Sequence, residues 1–83
     1  MAMTRDEIVE ILTYASSHDS REVGDAMIVA WLTAANFAGW TYDEAMTATV
    51  AHYAETDKWI RAGNVTQIIQ NRRATRPPWW QAD

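Results

Sequence analysis

Apolar residues recur at spacings of three and four along most of the chain, and no segment alternates apolar and polar positions as a strand does. The first such segment begins at Thr4-Arg5-Asp6-Glu7, a capping box in which the Thr4 hydroxyl accepts from the Glu7 N–H and Glu7 reaches back. Asp6 and Glu7 also complement the helix dipole there. Ile8, Ile11, Leu12 and Ala15 follow at helical spacing, so a helix is predicted from Arg5 to Ser17, broken by His18-Asp19-Ser20. A second helix is predicted after Ser20, running to Ala38 with Val23, Met27, Ala30, Trp31 and Ala34 as its inward stripe and Phe37 or Ala38 extending it. Gly24 weakens its start and moves the expected beginning toward Asp25, and Gly39 suits a left-handed stop.

A second capping box, Thr41-Tyr42-Asp43-Glu44, opens the third helix, with Trp40 and Ala45 placed as a hydrophobic staple. This helix is predicted from Tyr42 to about Thr56, facing Tyr42, Ala45, Met46, Thr49, Val50 and Tyr53 inward. Trp59-Ile60 forms an apolar linker. A fourth helix, from Ala62 or Asn64 to Ala74, carries Val65, Ile68 and Ile69 on one face and Arg72 and Arg73 at its end, and Pro77-Pro78 stops it. The expectation is an all-α, compact single-domain bundle of about four helices over residues 1–76, with a short Pro/Trp tail over 77–83.

Eighty-three residues allow one core, and a chain this small buries only about 60–65% of its unfolded surface. Five Trp, three Tyr and one Phe supply much of the area to be buried. Without cysteine there are no disulfides, thiolate metal sites or cysteine nucleophiles. No apolar leader opens the chain, and the stretch from Ala26 to Trp40 is too short and too polar to span a bilayer. A cytoplasmic protein with no membrane partner is expected.

Charge divides the chain. Residues 1–57 hold ten acids against Arg5 and Arg21, a balance of −8, whereas residues 58–83 hold Lys58, Arg61, Arg72, Arg73 and Arg76 against Asp83, a balance of +4. An acidic body with a basic end marks a partner-facing end, although cations in a last helical turn also complement that helix's own dipole. Metal chemistry has little to work with: His18 and His52 lie on different helices without a His-x-x-x-His or Cys partner, and His52 beside Glu55 reads as a local surface contact. Asp43-Glu44 is explained by capping, and the glycines at 24, 39 and 63 are too scattered to cradle a phosphate. Neither an enzyme nor a cofactor is expected.

The binding residues expected from this pattern are Trp59, Arg61, Arg72, Arg73, Arg76, Trp79 and Trp80, because Trp and Arg dominate binding hot spots. Trp79 and Trp80 have three readings: folded onto the chain's own core, anchored in a partner, or stacked on unpaired bases. A basic end interleaved with Trp suits single-stranded DNA, but the acidic body opposes a broad approach of duplex, and the fourth helix opens with the uncharged Asn64-Val65-Thr66-Gln67. Exposed aromatics on so small a domain also make a homo-oligomer, or inhibition of some other host factor, reasonable.

Four stretches, Asp25 to Trp31, Trp40 to Ala45, Ala51 to Thr56, and Trp59-Ile60 with Gly63-Asn64-Val65, together resemble a group of small bacteriophage and prophage proteins, the helicase-loader (loader-and-inhibitor, replisome organiser) family. That family's pattern pairs a helix bearing an inward Trp with a capped helix ending in His-Tyr and a Trp-Ile junction before a final basic helix. The likeness covers most of residues 5–73, with Arg61-Ala62-Gly63-Asn64 standing where the family has a Pro- and Asp-containing junction. It implies a DNA-replication protein that binds the hexameric replicative helicase and either delivers it to DNA or holds it inactive. Composition and spacing alone reach only a helical binding module.

Overall fold

The computed structural model describes residues 3–74. Within them lie four helices, α1 (Arg5–Asp19), α2 (Asp25–Ala38), α3 (Tyr42–Glu55) and α4 (Ala62–Ala74), and no strand. Each helix touches two others: α1 packs on α2 and α3, and α4 packs on the same two from the opposite side. The result is a four-membered ring around one core, the all-α bundle that the periodicity predicts.

Both capping boxes form as expected, Thr4 with Glu7 and Thr41 with Glu44. Each is preceded by a buried apolar residue paired in sequence with one at N4: Met3 with Ile8, and Trp40 with Ala45. Gly39 ends α2 at φ 73°, a left-handed conformation a side chain would strain, and its N–H closes on the Ala35 carbonyl.

One boundary differs from the sequence reading, and the other falls where Gly24 moves the expectation. Helix α1 runs to Asp19 rather than Ser17, and Ser20 terminates it in the left-handed region at φ 60°. Helix α2 starts at Asp25, because the Arg21 N–H turns back to Asp19 Oδ1 at 3.2 Å and holds residues 21–24 out of the helix.

The inward face of α2 is also rotated. Ile28, Trp31 and Ala35 are buried, Val23, Met27 and Ala34 sit partly buried beside them, and Ala30 and Phe37 face solvent. Apolar residues surround this helix almost completely, so its phase is set by what it packs on; Trp31 meets the edge of Trp40 at 5.9 Å. In α3, Ala48 is buried where Val50 was expected, leaving Val50 exposed. The core otherwise gathers Ile8, Ile11, Leu12 and Ala15 of α1, Ile60 of the linker, and Val65 and Ile69 of α4. Trp40 lies among them, its Nε1–H donating to Thr66 Oγ1 at 2.9 Å.

Candidate functional site

The end of α1 and the last turn of α3 meet over a buried polar node. Asp19 and Arg21 form an ion pair whose side chains are 0% and 3% exposed. Arg21 Nε donates to both Asp19 oxygens at 2.9 and 3.0 Å, and its Nη2 reaches the Ile60 carbonyl at 2.7 Å. The Tyr53 hydroxyl donates to Asp19 Oδ2 and accepts the Ile60 N–H at 3.1 Å. Three sequence-distant segments are thereby tied together, and among the described residues no buried side-chain polar atom lacks a partner.

Burial opposes ionisation of Asp19, yet the hydrogen bonds from Arg21 and Tyr53 outweigh it and hold the carboxyl below its usual range. For Arg21, burial likewise opposes the charge and Asp19 more than restores it. Burial, followed by the hydrogen bond to Asp19, raises Tyr53. His18 stacks on the Tyr53 ring at 4.6 Å and His52 meets it edge-on at 4.8 Å, so both histidines serve as walls of this node. The His52 Nε2–H donates to the Lys58 carbonyl at 2.7 Å and closes the turn after α3.

Trp59 lies on top. The Arg21 guanidinium sits 4.8 Å from the centre of its ring, while Trp31 lies 5.8 Å from the same cation. Trp59 is nevertheless 55% exposed. A large aromatic face is thus offered to solvent from a seat on the buried ion pair.

The other expected binding residues do not form one patch. Arg61 is exposed beside Trp59, and its main chain caps α4: the Arg61 N–H donates to Asn64 Oδ1 at 2.9 Å while its carbonyl accepts from Asn64 and Val65. Arg72 and Arg73 stand at the far end of α4, about 17 Å along the helix axis at 1.5 Å per residue. Arg76, Trp79 and Trp80 lie outside the described residues, as does the tail over 77–83.

Arg73 is occupied within the fold. It donates to both Glu44 oxygens, at 2.7 and 2.6 Å, and to the Gly39 carbonyl at 3.1 Å, stapling the end of α4 to the corner between α2 and α3. That hydrogen bonding, opposed by slight desolvation and aided by Thr41, lowers the Glu44 pKa from 4.5 to about 2. Because the folded value lies below the unfolded one, the contribution of this pair is present above pH 4.5 and fades as pH falls toward 2. Both side chains are a third to a half exposed, so solvent screens the pair and the effect is modest. Glu44→Gln is expected to flatten the acid limb of a stability–pH curve below pH 4.5, and an unchanged limb would show that the pair contributes nothing.

An open cleft of about 380 Å³ runs between α3 and α4, walled by His52, Glu55 and Thr56 from the end of α3 and by Asn64, Gln67 and Arg72 from α4. Of the expected binding residues among those described, Arg72 alone lines it. Among the described residues no group of three or more His, Asp or Glu is placed to hold a metal ion, and no helix is long and apolar enough to cross a membrane. Comparison with protein-family models, curated proteins and solved structures finds no match to this chain.

The polar node escaped the sequence reading. One signal was present: Arg21 is one of only two cations in the first 57 residues and stands two positions after Asp19 at a helix end. What places Tyr53 and the Ile60 carbonyl around that pair is tertiary, and no spacing encodes it.

Proposed function

We propose that this chain is a non-catalytic helical adaptor that binds the hexameric replicative helicase in a bacterial cytoplasm, delivering it to DNA or holding it inactive. The helicase as partner rests on the resemblance over residues 5–73 to phage helicase loaders. The observation that carries the binding role is Trp59, half-exposed and seated on the Arg21 guanidinium. An aromatic held rigid before binding loses little freedom on contact, which is the property of a hot-spot anchor. Arg61, next to it but one in the chain, and Arg72 in the α3–α4 cleft are exposed cations that favour an acidic partner surface.

The test is a titration of the chain into the replicative helicase of its source, read by sedimentation. A complex is expected at micromolar concentration, with Trp59→Ala weakening it about 30-fold, the equivalent of roughly 2 kcal/mol. A helicase that sediments alone at tens of micromolar would refute the reading. Salt-sensitive binding of single-stranded DNA without any helicase complex would replace it with a nucleic-acid function.

A further inference from the structure

We infer that the solvent face of α2 is a self-association surface, on which two copies of the chain pack antiparallel about a two-fold axis. Ala26, Val29, Ala30, Thr33 and Phe37 share this face, all exposed, with Val29 at 56% and Phe37 at 94%. At 100° per residue they form a stripe about 100° wide, the breadth of a helix face built to be covered. The Thr33 hydroxyl donates to the Val29 carbonyl at 2.8 Å, which turns its hydroxyl onto the helix and leaves the stripe without an unmet polar group of its own. Asp25 is the single charged residue in the helix. Helices α1 and α4 cover the other side of α2, and nothing among the described residues covers this one.

The stripe complements itself. Reversing α2 about its midpoint brings Phe37 of one copy over Ala26 of the other and sets Ala30 against Thr33, large against small at the ends and small against small at the centre. A two-fold interface demands this kind of self-complementarity. Charge selects the direction. Near the start of α2 lie Asp6, Glu22 and Asp25 against Arg5, a balance of −2; near its end lie Arg72 and Arg73 against Asp43 and Glu44, a balance of zero. A parallel pair would set one acidic end on another, whereas the antiparallel pair sets each acidic end against one without net charge and also opposes the two helix dipoles. One helix of 14 residues spans about 21 Å, so the buried area falls below the standard interface. The dimer is accordingly weak, with a dissociation constant on the order of 10–100 µM. This inference is independent of the α3–α4 cleft and of any helicase.

Sedimentation equilibrium of the full chain from 10 µM to 1 mM tests it. The expected result is a monomer–dimer equilibrium that Phe37→Glu abolishes across this range while Val50→Glu, an exposed apolar position on α3, leaves it intact. Unchanged circular dichroism and thermal midpoint of Phe37→Glu show that the loss is not unfolding. A wild-type monomer up to 1 mM overturns the inference. So does a dimer that survives Phe37→Glu, including one lost on removal of residues 75–83.

Discussion

Trp40→Ala is expected to lower stability by about 3–5 kcal/mol. Trp40 is 1% exposed at the corner where α2 hands over to α3. It meets Trp31 edge-to-face, and its indole N–H reaches Thr66 on α4. Truncation removes the largest fully buried side chain and opens a cavity bordered by three helices. For a domain of 83 residues the total stability is of the order of 4–12 kcal/mol, so the loss is a large share of it. At about 4–8 °C per kcal/mol, the thermal midpoint falls by more than 12 °C. Trp40→Phe keeps most of the apolar area and loses the bond to Thr66, so a smaller loss of about 1–2 kcal/mol is expected. A midpoint for Trp40→Ala within 3 °C of the parent would show that this ring is peripheral to the fold's cohesion.

Arg21→Ala acts by a different route and is expected to cost a similar amount, about 3–5 kcal/mol, by leaving the Asp19 carboxylate buried without its cation. The pH dependence identifies the cause. In the parent chain Asp19 titrates below its unfolded value, so its contribution is present above the ordinary aspartate range and is lost as pH falls through the lowered folded pKa. In Arg21→Ala only the Tyr53 hydroxyl is left to oppose burial, so the folded pKa of Asp19 rises relative to the parent. The deficit of the variant is therefore largest at neutral pH and shrinks as pH falls and Asp19 protonates. Adding Asp19→Asn should restore much of the loss, since the uncompensated charge is then gone. Urea melts of the two single variants and the double variant give the coupling energy. A coupling below about 0.5 kcal/mol would mean that the pair is bystander chemistry. Trp59 reports on the same event, because its ring rests on the Arg21 guanidinium, and its fluorescence should shift in Arg21→Ala even under conditions where the variant is folded.

The tie between stability and the proposed binding surface follows from that contact. Arg21 holds the Ile60 carbonyl and supports Trp59, so the exposed anchor and the buried ion pair are one construction. The resulting geometry differs from a free basic tail: Arg73, one of the residues expected to meet a partner, is spent on Glu44 and Gly39. The residues proposed for binding within the described part are instead Trp59 and Arg61, with Arg72 in the α3–α4 cleft.

Helix number, helix starts and the all-α class were legible in the chain because they depend on local chemistry. Capping boxes satisfy N–H groups within three residues, Gly39 needs no neighbour to adopt a positive φ, and the spacings of α1 and α4 contrast apolar with polar positions clearly enough to set their phase. Where that contrast is missing, local chemistry leaves the phase open. Helix α2 is apolar nearly all round, so packing against α1 and α4 decided that Ile28 and Ala35 go inward while Ala30 and Phe37 go out. The ion pair of Asp19 and Arg21 was likewise invisible, because an adjacent acid and base read as surface charges until a third segment covers them. Only the arrival of Tyr53 and Ile60, 34 and 39 residues farther on, excludes water from that pair and makes it part of the core.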